Sequence, residues 1–404
     1  MATINTKWLT SAMAGAPVLS GSAGAMISVL DACLKDGFNL LTLDSLVIAS
    51  NVATGTKASH GYLVNQVITL SGITGACAAL NGDVRIASVT ANTFTFATSG
   101  LSDQTASGTI TAKTPACGWE KQFSGTNLAV YRSGNVLSTR IPIRVDDTVG
   151  QYSTVLMAEA FTDISTPVTP CSTQYFKKSN ATDANARPWI VIADDKTFYI
   201  GVDWNNTSVY DFYSFGDFAS FVTGDSFCCR LQGLIVANPT NRGEYSSMSN
   251  GYIEDAGNVP VSVAPRSYAQ TVGAAAIRQG SLVAVSMYSQ SSYAWALSGN
   301  HGYAANVNQH SIASPSLADS GYHFVPVFLF EQPAAGRTLR GAARGLLHVV
   351  EYLPQASGYS ILSGVENVNG ALVMMVRSAG YVLSSGVSGF SFPATTLGFA
   401  LGNW

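Results

Sequence analysis

Apolar and polar residues alternate with a period of two through much of the chain, the pattern of half-buried β-strands. It is clearest between Gly118 and Asp147. There Trp119–Phe123, Leu128–Arg132 and Ile141–Asp147 read as strands, broken by the turn residues Ser124-Gly125-Thr126-Asn127 and Ser133-Gly134-Asn135. In the last strand Ile141, Ile143 and Val145 alternate with Pro142, Arg144 and Asp146. Pro142 has no N–H to give a ladder, which predicts an edge strand, with Pro142 and Arg144 on a contact edge between subunits.

A helical period occurs once. Met26, Val29, Leu30, Cys33 and Leu34 recur at helical spacing after Ser22 as N-cap and before Gly37 as terminator. The segment before it, 1–21, is rich in Ala, Gly and Ser and reads as an extended arm that laces onto a neighbour through Trp8. Leu40–Ala49 reads as one strand. From 51 to 112 the composition turns to Thr, Ser, Ala and Gly. Short strands at Val52–Lys57, Val67–Leu70, Val84–Val89, Phe94–Ala97 and Gly108–Thr111 predict a small inserted β-barrel or sandwich. Val155–Phe161, Pro188–Ala193, Thr197–Val202 and Ser226–Leu234 are further strands, and Thr166–Ala186 is a polar loop. The expected organisation is therefore an arm (1–21), a parent β domain (22–50 with 113–235), the inserted module (51–112) and a C-terminal β domain (236–404). The fold class is mainly β: antiparallel sheets in several domains, sandwich- or barrel-like, with one short N-terminal helix.

Charge changes the picture. Only 11% of the 404 residues are charged, against roughly 25% in an average soluble domain. Surfaces built from Ser, Thr, Asn and Tyr suit permanent protein contacts, because burying a hydroxyl costs far less than burying Lys or Glu. The net charge of −3 comes without a basic block, so no nucleic-acid footprint is present. No apolar window reaches transmembrane length, so membrane insertion is not expected, and Gly15, Pro17 and Ser20 interrupt any secretory leader. The six cysteines follow no metal or redox spacing and read as free thiols, consistent with assembly in a reducing cytoplasm.

Candidate chemistry is sparse. His301, His310 and Ser311 share a loop but need a placed carboxylate, with Asp319 the nearest downstream, to form a hydrolytic triad. Asp203-Trp204-Asn205-Asn206-Thr207 offers oxygens for Ca²⁺ without the Gly and Glu of an EF-hand. Asp146-Asp147 and Asp194-Asp195 read as turn aspartates. Glu159 and Asp163 are the carboxylates to consider for glycan cleavage. The preferred reading has no catalytic residue, metal or cofactor. Tyr288, Tyr293, Trp295, His301 and Tyr303 sit in a Ser/Asn-rich loop with the chemistry of a binding surface or subunit interface. Arg337, Arg340 and Arg344 are spaced to clamp carboxylates of a neighbour from one helix face, or to occupy a Gly-rich loop.

Four segments carry a family likeness: Ala14-Gly15-Ala16-Pro17-Val18-Leu19-Ser20-Gly21 with Leu30-Asp31-Ala32-Cys33-Leu34; Ser59-His60-Gly61-Tyr62 with Leu80-Asn81-Gly82 and Asn92-Thr93-Phe94-Thr95-Phe96; Phe123-Ser124-Gly125-Thr126-Asn127 with Arg144-Val145-Asp146-Asp147; and Ala186-Arg187-Pro188-Trp189 with Phe215-Gly216-Asp217. Across about the first 230 residues the chain resembles uncharacterised virion proteins of the tail tip and baseplate of tailed bacteriophages. The resemblance implies a structural role in the virion tail, other tail and baseplate proteins as partners, and a symmetric homo-oligomer, a trimer or hexamer. A host-surface receptor-binding protein and a glycan-cleaving tailspike are the alternatives.

Overall fold

The computed structural model describes residues 4–235, 237, 262–280, 324–331, 338–349, 359–362, 372–378 and 395–402. Among the described residues it is mainly β, built from antiparallel sheets that close no barrel, with one short N-terminal helix and a 3-10 segment at Gly75–Leu80. No helix among the described residues is long and apolar enough to cross a membrane.

The period-two stretch folds as expected into consecutive hairpins. Trp119–Gly125, Leu128–Ser133, Ile143–Asp146, Tyr152–Phe161 and Pro167–Lys177 form a five-stranded meander. Asn127 takes the left-handed conformation (φ 55°) that the first turn demands. One face buries Ala129, Tyr131, Ile143, Val145, Val155 and Met157 in the main core. The other carries a small cluster around Val130, Leu156, Ala158 and Phe161.

Two expectations fail in this sheet. Ile143–Asp146 is its central strand, paired on both sides, and Pro142 lies buried just before it. Proline is tolerated because it stands outside the ladder, where its carbonyl accepts from Ala158 N. The edges are Trp119–Gly125 and Pro167–Lys177, the second in the segment expected to be a loop. Its prolines are accommodated at the strand's first residue and, for Pro170, beside a register shift.

The inserted module is a sandwich of two sheets. Phe38–Thr42, Thr111–Thr114, Val67–Ser71 and Gly82–Arg85 make one; Ser88–Val89, Thr93–Ala97, Val52–Thr56, Ser45–Ala49 and Gln104–Thr105 make the other. Between them Leu46, Ile48, Phe94, Phe96, Ile68, Leu70 and Val84 form a separate core. The expected strand Leu40–Ala49 is two strands, one in each sheet, so it belongs to the module and not to the parent domain expected over 22–50 and 113–235. Val84–Val89 likewise divides, because its halves pair in different sheets. Gly55 stands directly across from Phe94, whose ring covers it so closely that a Cβ would lie 2.4 Å away.

Among the described residues a 13-stranded sheet organises the rest. It starts at Lys7–Thr10, runs through Trp189–Ala193, Thr197–Val202, Asp211–Asp217 and Cys229–Gln232, and continues through Ser262–Arg266 to Tyr359–Leu362. Trp189–Ala193, Thr197–Val202 and Asp211–Asp217 are buried along their whole length. Strands covered on both faces can read as continuous apolar runs, as Trp189–Ala193 does, whereas Asp211–Asp217 buries the polar Asp211, Ser214 and Asp217 as well. On one side Trp119 packs on Phe198 and Phe215, and Phe176 stacks on Tyr213 at 5.0 Å. On the other Phe399 packs on Tyr199 and Phe212. The sheet and its core thus continue across the expected boundary at 235/236.

The N-terminal segment is a further correction. Lys7–Thr10 pairs with Trp189–Ala193 of its own chain, and Trp8, Leu9, Met13 and Leu19 are core residues. The arm is internal because its backbone pairs along the otherwise open edge of Trp189–Ala193 while Trp8 and Leu9 enter the core. The helical segment, Ala25–Leu30 continued by Asp31–Asp36, ends at Gly37 (φ 70°) as expected. Its N-cap is Gly24 rather than Ser22. The carboxylate of Asp147 accepts from Met26 N at 2.8 Å and does the capping from across the fold.

Candidate interaction surface

Between the second and third strands of the meander, residues 134–140 project as a tight loop. Val136 and Leu137 at its tip are 79% and 81% exposed, more than any other large apolar residue described. Their neighbours hold the backbone. Asn135 Oδ1 accepts from Leu137 N at 2.8 Å, and Asn135 Nδ2 donates to Asp195 Oδ2 at 2.8 Å. Ser133 Oγ donates to the Asp195 carbonyl at 2.6 Å. On the far side Asp217 accepts from Thr139 N and Thr139 Oγ1 at 3.0 and 2.5 Å. Arg140, in the left-handed region, pairs with Glu120 at 2.8 Å, and Glu120 also pairs with Arg132. Burial pushes the Asp217 carboxyl up, against the lowering effect of the Thr139 bonds.

An apolar pair on a braced loop is a preorganised contact. Burying a Val or Leu side chain gives about 1.5–3 kcal/mol, and little ordering entropy opposes docking when the backbone is already held. The sequence carried a signal here: two large apolar residues in a run otherwise of Ser, Gly, Asn and Thr. The turn reading of Ser133-Gly134-Asn135 passed over it.

The expected site residues are placed as follows. Trp8 is buried, its Nε1 donating to Asn65 O at 3.0 Å and its ring beside Tyr359. Pro142 is buried, and Arg144 lies on the central strand with an Nε that has no hydrogen-bond partner. Neither is at an edge. Arg340 and Arg344 stand on the strand Thr338–Val349 rather than on a helix or loop, and the carboxylates they clamp are internal. Fully buried Arg340 makes two bonds of 3.0 Å to Asp225 and one of 3.1 Å to Glu331, over the ring of Phe218. Arg344 pairs with Asp194 at 2.7 Å. Arg337, Tyr288, Tyr293, Trp295, His301 and Tyr303 lie outside the described residues, as do His310, Ser311 and Asp319.

The carboxylates considered for chemistry have internal partners. Asp203 accepts from Thr207 N and Ser208 N, Asp163 from Ser165 N and Thr166 N, and Glu159 forms a two-pronged pair with Arg266 at 2.7 and 2.8 Å. Asp147, read as a turn residue, is instead buried against Lys178.

No family model and no curated protein matches the chain. Among solved structures it is similar to one described as "Phage phi92 endosialidase", at 12% identity and a TM-score of 0.16, over 90% of this chain and 52% of that one. The chain thus spans about half the length of that structure. A superposition at this score establishes neither a shared fold nor a shared activity.

Proposed function

We propose that this protein is a structural component of a bacteriophage tail tip or baseplate and works by fixed assembly with neighbouring subunits. The observation that carries the reading is the braced, exposed Val136–Leu137 pair on a chain with 11% charged residues. Such a surface loses little on desolvation and gains apolar burial when a neighbour covers it. The sequence resemblance supports the setting, and the apolar knob supports assembly as the mode of action.

The test is the double substitution Val136→Ser with Leu137→Ser. Both residues are exposed, so the melting temperature should stay within experimental error while the sedimentation of the purified protein and its copy number in particles fall. Normal incorporation of a well-folded double variant overturns the proposal. The receptor-binding alternative rests on the aromatic-rich sequence from Tyr288 to Tyr303. It predicts that purified protein competes with phage for adsorption to host cells.

A further inference from the structure

The N-terminal segment, the meander and the loop after it meet at two side chains with no exposure, Asp147 and Lys178. Asp147 directly follows the strand Ile143–Asp146 and Lys178 directly follows Pro167–Lys177, with Tyr152–Phe161 between them. Lys178 Nζ lies against Asp147 Oδ1 and donates to Ser22 O at 2.8 Å. Ser153 Oγ donates to the same Oδ1 at 2.6 Å, and Met26 N donates to Oδ2 at 2.8 Å. The carboxyl is therefore gripped at both oxygens, with an amine against it, where solvent does not reach.

Holding both charges out of water is costly, and the neutral pair, amine and carboxylic acid, is the alternative. Burial moves each group that way. It raises the Asp147 carboxyl, opposed by Lys178, and lowers the Lys178 ammonium, opposed by Asp147. An amine held against a carboxylic acid in a dry site is the reactant pair of amide condensation, with the entropy of encounter already spent.

We propose that Lys178 and Asp147 condense to an intramolecular isopeptide bond. The Nζ lone pair attacks Asp147 Cγ and one N–C bond forms. The charge developing on Oδ2 is met by Met26 N–H, a fixed backbone donor. The Cγ–Oδ1 bond breaks, and Oδ1 leaves as water with the acid proton and one proton from Nζ, relayed by the Ser153 hydroxyl. No atom changes oxidation state and no co-reactant enters. The one hydrogen left on Nζ still faces Ser22 O. The bond would join positions 31 residues apart, locking the base of the hairpin of Tyr152–Phe161 and Pro167–Lys177 whatever the partner of the Val136–Leu137 knob.

Denaturing intact-mass spectrometry of the full chain tests this. The expected mass is one water below that of the sequence, after allowance for N-terminal processing. Digestion should release a branched peptide joining the segments that hold Asp147 and Lys178. Lys178→Arg keeps the cation but cannot condense, and should show the full sequence mass even where it folds poorly, since the measurement needs no native fold. Wild-type protein at the full mass, or water loss that persists in Lys178→Arg, overturns the proposal.

Discussion

Arg340 shows how a single side chain holds distant parts of this fold. It is fully buried and touches Asp225, Glu331, Arg266 O and Phe227 O. Removing one partner of a buried pair leaves the other charge uncompensated, which costs about 3–5 kcal/mol. Arg340→Ala should lower the urea midpoint accordingly, with little change in the slope of the transition. Burial pushes the Asp225 carboxyl up, but the bonds and charge of Arg340, with Ser220 and Gln270, outweigh it and hold the group below its ordinary 3.8. A group lowered on folding gives stability that is complete above the unfolded value and is lost as pH falls through the folded one. Stability should therefore decline below about pH 4, and Asp225→Asn should flatten that acid limb while lowering stability at neutral pH. Urea midpoints across the acid range check both signs.

Elements were legible where their cause is local. The hairpins from Trp119 to Asp146 follow from alternation and turn residues, that from Trp189 to Val202 from a short apolar run and the turn aspartates after it, and both stand within two residues of expectation. Pro167–Lys177 was missed because its Thr, Ser and Pro content suits a loop; its pairing with Tyr152–Phe161 overrides that local preference. The arm was misread for the opposite reason. Its small residues look unstructured, yet Trp8 and Leu9 fill the core. Trp8→Ala should therefore cost about 3–5 kcal/mol, as for other buried aromatic truncations. Deleting residues 4–10 should uncover the edge of Trp189–Ala193 and produce aggregation during thermal melts, measured by light scattering. A deletion variant that stays soluble and melts like the parent would contradict this.

The whole molecule divides differently from its composition. The module has its own core, whereas the expected parent and C-terminal domains share one sheet and one core. A fragment of residues 38–114 should fold alone and give a dispersed amide spectrum. A fragment of residues 1–235 should not, because Tyr199 and Phe212 lose the cover of Phe399. Assembly through an apolar knob on a charge-poor chain should also persist at about 1 M salt, where the screening length is only about 3 Å. Sedimentation in low and high salt measures this.

What the sequence determined by itself was the β class, most strand positions, the helix and its stop at Gly37, because these follow from side-chain period and backbone freedom within a few residues. Tertiary structure alone decided which strand is an edge, that the arm is a core strand, that Asp147 caps a helix 121 residues away, and that Arg340 meets carboxylates of its own chain. Each of those is a choice among distant partners. Local pattern leaves such choices open, and only the burial and hydrogen bonding of the assembled fold select among them.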